Sequence, residues 1–155
     1  MFKDIRIALI FSVVLLDIIG IGVIFPIIPD LLKEVGIDQT ASAAFWGGLL
    51  SSSYAFMQFV FSPTIGTLSD IFGRRPILLV ASLLLGIDYL LMGFAENILI
   101  LFIGRIIGGL AGGTIATGTA YLADISDTKD KKKNFAIIGA AFGLGFILGP
   151  IIGGL

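Results

Sequence analysis

The chain of 155 residues has no cysteine, no histidine and few charged residues. Without cysteine or histidine it lacks both a disulfide framework and the usual ligands of a zinc site. Charged residues make up only 14% of the sequence, against roughly 25% in a soluble domain. The net charge of −1 gives no reason to expect a nucleic-acid partner. We therefore expect no metal site, no cofactor and no nucleic-acid partner.

Hydrophobic residues make up 57% of the chain and fall into five charge-poor windows. A helix needs about 20 apolar residues to cross the hydrocarbon core, and each window supplies that length. Segments of alternating polarity, as in membrane β-barrels, do not occur. The sequence therefore predicts an all-α, polytopic membrane protein with five transmembrane helices in the lipid bilayer. We place the spans at about residues 6–28, 43–68, 76–95, 98–123 and 135–155.

Basic residues lie almost entirely in the loops on one side of these spans. Of the ten lysines and arginines, eight precede the first span, join the second to the third, or precede the fifth. Because cytoplasmic loops are enriched in lysine and arginine, we expect the N-terminus to be cytoplasmic. The eight residues are Lys3, Arg6, Arg74, Arg75, Lys129, Lys131, Lys132 and Lys133.

The short loop GTLSDIFGRRP between the second and third spans combines an acid, two arginines and two glycines. A cytoplasmic turn accounts for the arginines, but it does not require the acid. The spacing Gly66-x-x-x-Asp70-x-x-Gly73-Arg74-Arg75 resembles the loop signature of the major facilitator superfamily of secondary transporters. The resemblance implies a charge cluster that steadies one state of the transport cycle. We expect its partner to lie in a second bundle outside these residues.

Three further stretches resemble the same family. LFIGRIIGGLAGG in the fourth span resembles its arginine-bearing motif, and GFILGPIIGG in the fifth resembles its antiporter signature. LLDIIGIGVIFPIIPDLL and GIDYLLMGFA are most similar to the tetracycline/proton antiporters. The resemblance implies a transporter rather than an enzyme, located in the bacterial inner membrane, with five helices of an incomplete N-terminal six-helix bundle. The matching positions in the fifth span are Gly145, Gly149, Pro150, Gly153 and Gly154.

Three charged residues and one glutamine stand out deep inside the predicted spans. Asp17, Gln58 and Asp88 each lie about 18 Å from the basic side, and Arg105 lies in the opposite half. Charges at membrane depth are costly and usually face a bundle interior or a water path, so we expect these residues to bind protons or substrate. The alternative is a static ion pair that holds helices together. A polar stripe on the second span predicts either a cavity wall or a helix–helix seam, formed by Ser51, Tyr54, Gln58 and Ser62.

The resemblance also implies the transported species. It predicts export of a small amphiphilic drug in exchange for protons, with tetracycline, carried as a divalent-metal chelate, as the first candidate. Alternating access needs two bundles that rock around a shared site, and five spans supply less than one complete bundle. Two interpretations stay open: part of a drug/proton antiporter that a C-terminal half completes, or a truncated membrane fragment that does not transport.

Overall fold

The computed structural model describes residues 5–37 and 39–154. Over these residues the chain is helical and contains no β-strand, which confirms the predicted all-α class. Within this described part of the chain six helices follow one another, and the fourth and fifth together form the fourth predicted span. They are α1 (Ile5–Glu34), α2 (Thr40–Phe72), α3 (Arg74–Gly93), α4 (Ile98–Leu110), α5 (Thr114–Ile125) and α6 (Lys131–Gly153).

Among residues 5–37 and 39–154, four segments are long and apolar enough to cross a membrane: α1, α3, the α4–α5 segment and α6. Helix α2 has 33 residues but is not one of the four, because serine, threonine and glutamine interrupt its apolar sequence. Each helix overlaps a predicted window, in agreement with a polytopic membrane protein, and four of the five predicted spans meet these criteria in the described residues, so the span at 43–68 stays a prediction. The exact bounds of each crossing stay predictions, and Lys3 and Leu155 lie outside the described residues.

The surface of the bundle is apolar and several polar groups are inside it. Phe56, Phe59 and Leu83 are each more than 60% exposed, whereas Asp17 and Asp88 are buried. A soluble protein of this size rarely exposes such continuous apolar area, while a bilayer solvates it. The arrangement fits lipid outside the bundle and a polar site within it.

A break divides the fourth span into α4 and α5 at residues 111–113. The amide of Ala111 donates to the carbonyl of Gly108 (3.1 Å), and the amide of Gly112 donates to that of Gly109 (3.0 Å). Hydrogen bonds with this three-residue spacing tighten the turn and free a carbonyl. The side-chain amide of Gln58 on α2 donates to the carbonyl of Gly112 at 3.0 Å. The break is therefore satisfied from a neighbouring helix.

Candidate functional site

Asp88 on α3 and Arg105 on α4 form an ion pair inside the bundle. Asp88 has no exposed surface, and Arg105 is 5% exposed. Two glycines of α4 make room for the carboxylate. A methyl group at Gly104 would lie 3.1 Å from Asp88 Oδ1, and one at Gly108 would overlap the carboxylate. The glycines of GRIIGG thus form the niche in which this ion pair sits.

Helix α2 supplies a third partner of the pair. The guanidinium of Arg105 lies over the ring of Tyr54, 5.1 Å from its centroid. This cation–π contact stabilises a charge that is withdrawn from water. Within the described part of the chain, Asp88 Oδ1 and Arg105 Nε have no hydrogen-bond partner. The pair therefore keeps one acceptor and one donor for a further group.

Asp17 on α1 is 5% exposed, and its Oδ1 atom has no hydrogen-bond partner among the described residues. It lies within electrostatic range of Tyr54 and Tyr89. The hydroxyl of Tyr89 packs directly on Gly20, one turn further along α1, where an added methyl group would overlap it. Asp17 thus belongs to the same interior region as the ion pair, although the carboxylate bound to Arg105 is that of Asp88.

The polar stripe predicted on α2 divides in the structure. Tyr54 and Gln58 face α4, and Ser62 is half-buried. Ser51 is exposed, and its hydroxyl donates to the carbonyl of Gly47 in its own helix (2.9 Å). Two residues of the stripe therefore adjoin the interior site, while Ser51 lines a groove between α1 and α2.

The loop cluster is built around Arg74. Its guanidinium binds the carboxylate of Asp70 at 2.5 Å, the hydroxyl of Ser69 at 2.6 Å and the carboxylate of Asp124 at 3.1 Å. Asp124 is near the end of α5, so the expectation that the cluster has no partner within these residues is wrong for Arg74. Sequence analysis missed Asp124, although an acid at the basic end of the fourth span was a usable signal.

The two loop glycines differ in what the structure asks of them. Gly73 has φ +93°, a backbone conformation that other residues rarely adopt. It is the single residue between the end of α2 and the start of α3. A methyl group at Gly66 would meet nothing within 4 Å, and packing in this chain does not explain that glycine. Arg75 is exposed and, together with Arg6, lines a cleft at the basic end.

The glycines of the antiporter signature hold α6 against α1. A methyl group at Gly149 would lie 2.6 Å from the Cα of Gly22, and one at Gly145 would lie 2.6 Å from Ile18 Cγ2. Such small-residue faces let backbones approach closely in a membrane. Two further residues of the signature continue the contact with α1. A methyl group at Gly153 would lie against Val23 O, and the Pro150 ring lies beside Gly22. The amide of Gly154 donates to Pro150 O and caps the end of α6.

An apolar helical exterior, a buried acid–arginine pair and a charged loop at one end are features that occur in secondary membrane transporters. The family model of the Major Facilitator Superfamily matches residues 10–155, and the chain belongs to this family. The membership inferred from the loop and span motifs is thus confirmed.

Three relatives illustrate the similarity. The tetracycline resistance protein, class C, of Escherichia coli is 43% identical over 146 residues, which cover 94% of this chain and 36% of the relative. The class H protein of Pasteurella multocida is 43% identical over 149 residues, which cover 96% of this chain and 37% of the relative. The quinolone resistance protein NorA of Staphylococcus aureus is 37% identical over 142 residues, which cover 91% of this chain and 35% of the relative. The chain thus spans about a third of the length of these relatives.

Proposed function

We propose that this chain forms the N-terminal part of a proton-coupled drug efflux antiporter. The observation that carries the proposal is the interior site, where the Asp88–Arg105 ion pair lies near a second buried carboxyl, Asp17. A bundle that only needed to pack would place apolar residues there, because buried charges are costly. The similarity to tetracycline and quinolone resistance proteins supports drug export as the activity.

The two buried carboxylates have different roles in this proposal. Asp88 is neutralised by Arg105, so the pair supplies a polar surface without net charge. Asp17 has an oxygen with no partner in the described structure, so it is free to bind a proton or a cationic substrate. Competition between proton and substrate for one carboxyl couples their opposite movements when the transporter changes access only with that carboxyl occupied. Gln58 contributes by holding the α4–α5 break that borders the site.

The loop cluster acts on the conformational cycle. Arg74 joins the start of α3 to the ends of α2 and α5, through Asp70 and Asp124. We propose that this cluster, together with Arg75, stabilises one of the two access states. The basic end, which carries Arg6, Arg74 and Arg75, faces the cytoplasm in this proposal.

The proposed substrate is a small amphiphilic drug, with a tetracycline bound to a divalent metal as the first candidate. The names of the similar class C and class H proteins support this choice. A metal chelate carries positive charge, which an unpaired carboxylate such as Asp17 would attract. The metal would be cargo and not a resident cofactor.

A chimera tests the antiporter proposal. Residues 1–155 are joined to the remaining segment of the class C protein, and tetracycline export is measured with and without a proton ionophore. We expect export that the ionophore abolishes, and we expect Asp17→Asn to abolish it as well. Asp30→Asn is the control, because Asp30 is exposed and pairs with Lys33 within its own helix.

Two results would contradict the proposal. If the chimera reaches the membrane in the amount of the class C protein and exports nothing, drug efflux is not the activity of these residues. If Asp17→Asn retains ionophore-sensitive export at the original rate, Asp17 is not the coupling carboxyl. The 155-residue chain assayed alone tests the alternative that it does not transport without a further bundle.

A further inference from the structure

A cleft opens at the basic end of the bundle, between α1, α3 and α5. It has a volume of about 620 Å³, ample for several water molecules. Arg6 and Arg75 line its mouth, and the apolar side chains of α1 and α3 form its walls. Tyr121 of α5 is the one lining residue that brings a hydroxyl group into it.

The walls of the cleft continue toward the interior site. Ile10 and Val13 of α1 line the cleft, and Asp17 follows them by seven and four residues. Residues at these spacings share one helix face, so Asp17 lies directly above the cleft wall. By the same spacing, Thr117 lies one turn above Tyr121 on α5. Two helices therefore place a buried polar group just beyond the inner end of the cleft.

The two polar groups lie at nearly the same depth. A methyl group at Gly118 would lie 3.1 Å from Val14 Cγ2, which fixes the register between the antiparallel α1 and α5. Compared with the level at which Val14 meets Gly118, Asp17 lies about 4.5 Å further from the basic end, and Thr117 lies about 1.5 Å further from it. Thr117 is 2% exposed and, like Asp17 Oδ1, its hydroxyl has no hydrogen-bond partner in the described residues. One is a donor and the other an acceptor.

We propose that this cleft is a proton route between Asp17 and the basic end, with Thr117 and Tyr121 as the hydroxyl groups that relay the proton. Asp17 gives its proton to the oxygen of Thr117 while the hydroxyl proton of Thr117 passes to water or to Tyr121, which releases its own proton at the mouth. Each hydroxyl stays neutral after the transfer. The assignment of Asp17 as proton carrier rests on the proposed function; the accessibility of the cleft does not.

Other titratable groups surround this region and are unchanged by the tests below. Tyr54 of α2 and Tyr89 of α3 lie within electrostatic range of Asp17, and Asp88 and Arg105 lie within electrostatic range of both tyrosines. Helix α6 contributes Gly145, which packs on the neighbouring Ile18. The route on α5 is therefore the one that substitutions at Thr117 and Tyr121 address.

The absence of native cysteine makes access to the cleft directly measurable. Val13→Cys and Tyr121→Cys are placed singly in the chain in sealed vesicles, and a membrane-impermeant charged thiol reagent is added on one side. Leu83→Cys is the matched control, since Leu83 is 65% exposed on the apolar face of α3 at a similar depth. We expect both cleft positions to react about tenfold faster than the control, and only from the basic end. Equal rates would show that lipid or another helix fills the cleft, and would overturn the proposal.

A second measurement follows the proton itself and needs no drug. The carboxyl infrared band of Asp17, identified by its loss in Asp17→Asn, is followed during hydrogen–deuterium exchange in membranes. We expect Thr117→Val to slow its exchange about tenfold and Thr117→Ser to restore it, because the serine keeps the hydroxyl. Tyr121→Phe should slow exchange in the same way. The control is Thr119→Val, since the hydroxyl of Thr119 is bound to the carbonyl of Ile115.

Exchange at the original rate in both Thr117→Val and Tyr121→Phe would overturn the relay. Because this readout is independent of export, it separates failure of the proton route from failure of the antiporter proposal. A chimera that exports normally, with unchanged Asp17 exchange in both variants, would retain the antiporter and reject the route.

Discussion

Two arginine–carboxylate clusters in the described part of the molecule have contrasting surroundings. The interior pair has side chains 0% exposed for Asp88 and 6% for Arg105. In the cluster at the basic end, Arg74 is 20% exposed, while Asp70 and Asp124 are 62% and 56% exposed. Withdrawal from water makes an unpaired partner very costly in the first case, whereas water and salt screen the charges in the second. The same kind of ion pair is thus a permanent contact in the interior and an adjustable contact at the basic end.

The clusters also differ in what they connect. Asp88 and Arg105 join two helices that follow one another, α3 and α4. Arg74 joins the end of α2, the start of α3 and the end of α5. A contact that must break and re-form during a transport cycle is better made where each ion pair contributes little. The predictions below test this contrast, beginning with the interior.

The largest effect is expected from removing the arginine of the interior pair. Arg105→Leu leaves the Asp88 carboxylate buried without its cation, which should cost about 3–5 kcal/mol of unfolding free energy. Denaturant unfolding in detergent, followed by helical circular dichroism, measures the loss. The double variant Arg105→Leu with Asp88→Leu is the control and should recover most of it, because no charge is left unpaired. A loss below about 1 kcal/mol in Arg105→Leu would show that water reaches the pair.

A smaller loss is expected where α1 and α6 touch through glycine. Gly149→Val places its side chain against the Gly22 backbone, so the helices must separate, at a cost of about 1–3 kcal/mol. Gly143→Ala on the same helix is the control, since a methyl group there meets nothing within 4 Å. That substitution should instead stabilise the helix by about 0.5–1 kcal/mol. The same unfolding measurement applies, and equal effects at both positions would exclude close packing at Gly149.

The break between α4 and α5 should be sensitive to Gln58. Gln58→Leu removes the donor to the Gly112 carbonyl, and we expect a loss of about 1 kcal/mol in unfolding free energy. Ser51→Ala is the control, because Ser51 is on the same helix but exposed and bonded only within it. If Gln58→Leu unfolds no more easily than Ser51→Ala, water satisfies the carbonyl equally well.

Much of this architecture follows from the sequence because the lipid interior can neither hydrogen-bond the backbone nor solvate charges well. Apolar windows of sufficient length predict helices, since no other structure satisfies the backbone of a single span. The same cost marks the buried carboxyls and Arg105 as candidate site residues, because each is a charge within an apolar window. Which carboxylate pairs with Arg105 does not follow from the sequence, because the depths of the residues along their helices allow either Asp17 or Asp88. In the structure the partner is Asp88, whose carboxylate fits the niche formed by Gly104 and Gly108.

Two other features depend on contacts between distant segments. The break at residues 111–113 occurs in an apolar, glycine-rich window that predicts a continuous helix, and a side chain from α2 is what satisfies it. Asp124 is 50 residues from Arg74, so no local motif links them. The loop signature therefore predicted a charge cluster but not its full membership. Cross-helix partners of this kind are found by geometry.

The smallest effect is expected at the basic end, and it completes the comparison. A double-mutant cycle of Arg74→Gln and Asp124→Asn should give a coupling of about 0.2–1 kcal/mol in unfolding free energy. Because the carboxylate is exposed, the coupling should fall when the salt concentration is raised from about 0.01 M to 1 M, whereas the loss in Arg105→Leu should barely change. Lys33→Gln is the control for general charge effects, since Lys33 pairs with Asp30 within α1, which contributes no residue to the loop cluster. A coupling above about 2 kcal/mol that resists salt would make the loop cluster a second structural pair, and its proposed part in switching between access states would then fail.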